Sequence, residues 1–389
     1  MNISWQTIKT DFNGETCFTH ARGVILENGF GLITTQPLRL TGSDVFYGIY
    51  ISTTNDGGNT WSALRPSATL VRRDMGDGFE LALCDATPML HKKTGKIILI
   101  GHCAIYKDDD LAPPPRARYT VYAVYDEKKG DFLPMQIFKM PPTDGDVYFS
   151  CGNGSGQSIE LENGELLIPI YHFDKGSASD PWHTCYSASV MRASFDGESL
   201  KLIEVGNSLT VDVPRGLCEP SIACYNGQYI LALRNDESGY VAKGDDGLHY
   251  NEATPLVFDN GENVGNYCTQ QHWVIGGGKL YMVYTRRDAE NDHVFRHRAP
   301  LFIAEFDTER MCIVRSTEQV VVPNRGARLG NFGAQSMDDG SCAFVFASEW
   351  MQTTPPDPHD WRKCAKYGSD NSIFVSKIIF NRLRDRRKL

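Results

Sequence analysis

Thr54-Asn-Asp56-Gly-Gly58-Asn-Thr60-Trp61 decides how the rest of this chain is read. It follows a strand-like run over residues 45–52. The Asp56 carboxylate can accept backbone N–H groups across a turn, a glycine can supply a positive φ, and Trp61 can pack under the hairpin. Weaker copies recur downstream. Lys243-Gly-Asp245-Asp-Gly247-Leu-His-Tyr250 keeps the Asp, the Gly and an aromatic, and Ser194-Phe-Asp196-Gly197 is more degraded. Residues 126–132 and the turn at Asp307 hold similar places between strands.

One grammar repeats between these turns: a short β-branched or aromatic run, a turn, and a return run. Asn28-Gly29, Asn163-Gly164 and Asn226-Gly227 mark three of the turns, and Asn-Gly is a strong two-residue hairpin signal. Six such hairpins begin near residues 22, 85, 156, 219, 271 and 332. Units of roughly 50 to 70 residues read as propeller blades. The expected fold is therefore all-β: a six-bladed β-propeller of four-stranded antiparallel blades, with residues 1–389 forming one domain. A last strand over residues 372–380 is expected to pair with an amino-terminal strand over residues 3–8 and close the ring, which removes exposed strand edges.

Composition narrows the functions. The chain holds 48 acidic against 39 basic residues, a formal charge of −9, which argues against a general nucleic-acid binder. A short basic run at residues 382–389 reads as a solvated tail. The sequence shows no signal-peptide pattern and no apolar stretch of about 18 residues, so no membrane partner is expected. Eleven cysteines without a CxxC pair suit reduced thiols and a cytoplasmic protein. No trusted ligand spacing points to a metal, and no cofactor is expected. Gly276-Gly-Gly-Lys279 lacks the earlier glycine and the following Ser or Thr of a phosphate loop, and reads as a hairpin turn. Oligomeric state stays open.

Topology collects the candidate site. Inner strands start near a propeller's axis, so residues just before each inner strand and just after its return crowd one mouth. These are Arg22, Arg39, Asp44, Asp85, Glu219, Arg234, His272 and Asn331. Glu219 precedes the strand over residues 222–225 and Arg234 follows its return over residues 229–233. An antiparallel hairpin sets that carboxylate and guanidinium side by side. His272 begins an inner strand and is read as facing ligand or packed core. His172, His183, His293 and His297 read as loop hydrogen-bonding residues.

These residues resemble the sialidase (neuraminidase) superfamily over most of the chain, and residues 54–61 resemble its Asp-box, which lies away from catalysis. The resemblance implies a carboxylate-binding arginine triad at Arg22, Arg234 and Arg298, with Arg296 competing for the third place. It implies an acid/base aspartate at Asp44 after Arg39, a substrate-contacting Asp85, and a nucleophile-polarising Glu219. It also implies a tyrosine nucleophile in the sixth inner hairpin, but Leu329-Gly330-Asn331-Phe332-Gly333 carries Asn331 there. Neither Asn nor Phe can attack as a phenolate does.

Three arginines at one mouth demand an anionic ligand, because guanidinium stays charged and binds carboxylate bidentately. The leading reading is an exo-acting glycoside hydrolase that releases a terminal acidic sugar from an oligosaccharide or glycoconjugate. Asp44 would be the acid, Glu219 or His272 would activate water or another nucleophile, and Tyr171 and Tyr284 are substitute nucleophiles. A uronate lyase and a non-catalytic glycan-binding propeller are the alternatives.

Overall fold

The structure is a computed structural model that describes residues 1–42, 44–177 and 184–381. His183 and the basic run at 382–389 lie outside the described residues. The chain is all-β, with a propeller arrangement of at least five blades. Among the described residues its strands form six antiparallel sheets.

The fourth sheet shows how sequence becomes architecture. Cys218–Tyr225 pairs with Gln228–Arg234, then Tyr240–Gly244, then Thr254–Pro255. Its first turn is Asn226-Gly227, both residues at positive φ, 52° and 76°. Such backbone matches the twist of paired strands and suits Asn and Gly. The strands run further than the hydrophobic runs suggest. Glu219 lies inside the first strand, at a register shift between Cys218 and Ser221, rather than before it.

The other sheets repeat this plan. Thr16–Ile25 and Gly31–Arg39 open the first, Phe79–His91 and Lys96–Lys107 the second. In the third, Ser150–Gly152 and Ile159–Glu160 share the partner Glu165–Phe173. His272–Gly276 and Lys279–Tyr284 open the fifth, and Gly333–Ser336 and Cys342–Ser348 the sixth. The sixth is completed across the chain ends: Asn2–Ile8 pairs antiparallel with Ile373–Ile379, from Asn2 opposite Ile379 to Ile8 opposite Ile373. The expected closing pair therefore forms.

Core sits between neighbouring sheets. Leu32 and Ile51 of the first meet Leu81 and Leu99 of the second, and Ile98 and Val124 of the second meet Ile168 and Met191 of the third. The series continues through Ile222, Trp273 and Val283, and Phe346 and Val375 of the sixth return to Ile25 and Ile33 of the first. Each buried large apolar side chain contributes about 1.5–3 kcal/mol.

The turn at residues 54–61 closes as its chemistry requires. Asp56 Oδ1 accepts from the Asn59 and Thr60 backbone N–H groups, both at 2.9 Å, and Oδ2 from the Thr60 hydroxyl at 2.7 Å. Those bonds, the Thr60 hydroxyl first, hold its carboxyl down at about 2. Trp61 Nε1 donates to Gly58 O, and the ring packs against the Ile25, Phe344 and Phe346 cluster. The weaker copies close differently. Asp126, Asp196, Asp246 and Asp307 each accept from the second and third following N–H groups. In the fourth sheet the accepting residue is Asp246, not Asp245.

Every sheet also bends its inner strand, or the residue leading into it, through one left-handed non-glycine residue. These are His20, Asp85, Ser155, Glu219, Cys268 and Asn331, with φ between 46° and 67°. At His20, Asp85 and Glu219 the ladder slips register. Such bulges re-aim side chains and cluster beside active sites.

Candidate active site

Three of these residues, Asp85, Glu219 and Asn331, line a cavity of about 490 Å³. Seven arginines and four carboxylates line it, an excess of positive charge in a chain of net charge −9. Arg234 and Glu219 form its most tightly held pair. Arg234 Nη1 donates to Glu219 Oε1 at 2.5 Å, and Nη2 donates to Asp236 Oδ1 at 3.1 Å. Glu219 is 8% and Arg234 7% exposed. Burial lowers the Arg234 guanidinium, but Glu219, Cys218, Cys268 and Asp236 together outweigh it, so its affinity for protons rises well above normal. The hairpin expectation of adjacent charges holds.

Arg298 stands next to this pair. Its Nη1 donates to Asn331 Oδ1 at 3.0 Å and its Nη2 to the Cys268 carbonyl. Burial, then the charges of Arg234 and Arg296, pushes it down to about 10. Arg296 lines the same cavity from an exposed position. Arg328 completes the basic wall. It lies 3.3 Å over the Trp350 ring and donates from Nη2 to Gln352 Oε1 at 2.6 Å. Burial, then Arg298 and Arg296, pushes it well below normal. Arg234, Arg298 and Arg328 each keep a buried Nε without a hydrogen-bond acceptor.

Asp85 anchors the opposite wall. Its Oδ1 accepts from the Ser155 hydroxyl at 2.7 Å, Asn331 Nδ2 at 3.1 Å and Arg22 Nη2 at 3.5 Å. His20 Nδ1 faces it at 3.2 Å and His102 Nε2 at 3.6 Å. Burial raises the Asp85 carboxyl, but the two rings, Arg22 and Ser155 overcome it and hold it well below the usual carboxylate range. Burial pushes His20 down to about 4 and His102 to about 3, so both rings are neutral near pH 7. Asn331 joins the walls: its carbonyl takes Arg298, and its amide nitrogen donates to Asp85 and to His20 Nε2 at 3.0 Å.

The sequence-derived site residues fall into two groups. Asp44, Asp85, Glu219, Arg234 and Arg298 line the cavity, Asp44 from an exposed position at φ 56°. Arg22, Arg39 and His272 do not. Arg22 lies behind the wall with no exposure and donates to Phe332 O, Ser155 Oγ and Asp85, so it braces the site instead of meeting ligand. Arg39 turns outward to Asp109 and Asp110. His272 is buried, with Nδ1 2.9 Å from Ser221 Oγ and Nε2 3.0 Å from Phe332 O. Burial, then Arg22, lowers it to about 3, so it is a neutral core histidine. Tyr284, buried with its hydroxyl on Glu318, is also outside the cavity. Tyr171 lines it.

Sequence reasoning passed over Arg328, Arg118 and His102, all on the cavity wall. Arg328 sits three residues before Asn331, in a stretch without strand pattern. His102 lies inside a continuous apolar strand, where a lone histidine signals nothing. Among the described residues no group of three or more His, Cys, Asp and Glu is placed to hold a metal ion. None of the described helices is long and apolar enough to cross a membrane.

No family model matches the chain, and no curated protein matches it by sequence. Solved structures do. A Dyadobacter fermentans protein of unknown function superposes with a TM-score of 0.64 at 14% identity, over 97% of this chain and 99% of that one. The NanB sialidase of Streptococcus pneumoniae gives 0.63 at 10% identity, over 95% of this chain and 70% of that one. Trypanosoma rangeli sialidase in complex with sialic acid gives 0.59 at 15% identity, over 94% of this chain; the chain spans 54% of that enzyme's length. At these identities the likeness shows a sialidase-like fold and no more.

Proposed function

We propose that this protein is an exo-acting glycoside hydrolase of the sialidase type, which releases a terminal carboxylated sugar such as a sialic acid. In this reading the six sheets are six blades of a closed propeller, and residues 54–61 are an Asp-box. The observation that carries the reading is the basic wall. Arg298 and Arg328 are buried beside Arg234 and Arg296, and their charges disfavour one another. Buried charge without a counter-ion is costly, and a bound carboxylate answers it with bidentate hydrogen bonds. Binding of sialic acid by the trypanosomal sialidase is consistent with this ligand class.

Asp44, at the exposed edge of the cavity, serves as general acid to the leaving oxygen. Glu219, fixed by Arg234, places negative charge where an oxocarbenium-like centre develops. Asn331 is structural, because its amide is spent on Arg298, Asp85 and His20.

The test is hydrolysis of an aryl sialoside by the purified full chain, with Asp44→Asn and Glu219→Gln as controls. Release by the parent chain, with a loss of about 10²–10⁴-fold in Asp44→Asn, is expected. No release from aryl sialosides or uronides, or an unsaturated ultraviolet-absorbing product, overturns the hydrolase reading.

A further inference from the structure

Two neutral groups on the acidic wall meet as a nucleophile meets a base. The Tyr171 hydroxyl is 3.3 Å from His102 Nδ1, and His102 Nε2 faces Asp85 Oδ2 at 3.6 Å. Tyr171, His102 and Asp85 all line the cavity with Glu219 and Arg234. With Nε2–H directed at Asp85, the neutral ring leaves Nδ1 as an acceptor for the phenol.

The wall is shaped to hold this arrangement. His102 pairs with Thr120 and Cys84 in the second sheet, so its backbone is fixed on both sides. Its ring rests on the glycine-rich lead-in of the third sheet. A Cβ at Gly154 would stand 1.7 Å from His102 Nδ1, and one at Gly152 2.6 Å from His102 Cβ. Only glycine leaves that seat open. Tyr171 is held by Tyr186 edge-on at 5.5 Å and by the Arg118 guanidinium 4.9 Å over its ring. Burial pushes its phenol well up, and Arg118 opposes that shift, so the phenol keeps its proton until a base takes it.

Resting on the proposed hydrolase reading, we infer that Tyr171 is the nucleophile of this site, activated by His102 and aligned through it by Asp85. It takes over from a third-sheet position the role that Asn331 cannot perform. A neutral phenol also suits a substrate with a carboxylate beside its anomeric carbon, where an ionised nucleophile would be repelled.

The step balances. His102 Nδ1 takes the phenolic proton as Tyr171 Oη bonds to the anomeric carbon. The bond from that carbon to the leaving oxygen breaks, and the leaving oxygen takes its electron pair and the proton of Asp44. Water then attacks the same carbon and gives a proton to Asp44. The Oη–carbon bond breaks with its electrons on Oη, which recovers its proton from His102. One water is consumed and one glycosidic bond cleaved, with retained configuration.

The experiment uses the full chain, an aryl sialoside and 2,3-difluorosialic acid as the trapping probe. Expected are hydrolysis by the parent chain, a loss of about 10²–10⁴-fold in Tyr171→Phe, and a glycosyl label that peptide mass spectrometry places on Tyr171. If the parent hydrolyses the sialoside but Tyr171→Phe keeps rates within about threefold, or the label sits elsewhere or is absent, the Tyr171 assignment is overturned and the hydrolase reading stands. If the parent hydrolyses neither the sialoside nor an aryl uronide, the hydrolase reading falls and the Tyr171 assignment falls with it. Labelling reads the parent chain, so it decides the question even if the variant does not fold.

Discussion

Histidines 20, 102 and 272 are buried rings that act through neutrality. Burial pushes them to about 4, 3 and 3. An unfolded histidine titrates near 6.5, so between about pH 6.5 and 4 the unfolded chain binds protons that the folded chain refuses. Their contribution to stability is therefore complete above about pH 6.5 and is lost as pH falls through that window. Each such ring is expected to remove about 1.4 kcal/mol of unfolding free energy per pH unit there. Urea unfolding at several pH values checks this, and His272→Gln should flatten the slope. At this scale the sequence exposed identity better than partnership. Glu219 and Arg234 could be paired because one hairpin joins them. Arg22 could not be told from a substrate arginine, since its partners at Asp85, Ser155 and Phe332 lie 63 to 310 positions away.

Strands and turns carried the clearest signals. Asn-Gly turns and alternating runs announced the hairpins, because local backbone chemistry decides them. The left-handed residues left no such mark: nothing local to Glu219 or Cys268 announces a positive φ. In Cys151-Gly-Asn-Gly-Ser-Gly156, Gly152 and Gly154 form the seat of His102. Gly154→Ala is expected to leave the sheets folded but push the ring from Tyr171 and Asp85. A displacement of about 1 Å at a reacting group costs about 10²-fold in rate. Measuring kcat beside the melting temperature checks this: a rate loss without a large melting shift is expected.

The whole molecule depends on its two ends meeting. Asn2–Ile8 covers the edge of Ile373–Ile379, a strand in which Ile373, Phe374, Val375 and Ile378 are buried. Deleting residues 1–9 is expected to bare that edge and promote association, visible by light scattering, with a lowered melting temperature. Ring closure was legible because both end segments read as strands in want of a partner. The basic wall was only half legible, because Arg328 comes from a loop that becomes part of the site only once the sheets close around it. The six left-handed residues bear on how such a molecule can change over generations. Asn, Asp and His favour that backbone, none of the six is β-branched or aromatic apart from His20, and a residue held there costs about 1–3 kcal/mol. The positions nearest the axis thus have a restricted alphabet. Tyrosine in place of Asn331 would be strained there and would leave Arg298 without its partner. Long side chains on neighbouring strands, such as Tyr171, reach the same cavity without that strain, so a change of lining there leaves the outline of the sheets intact.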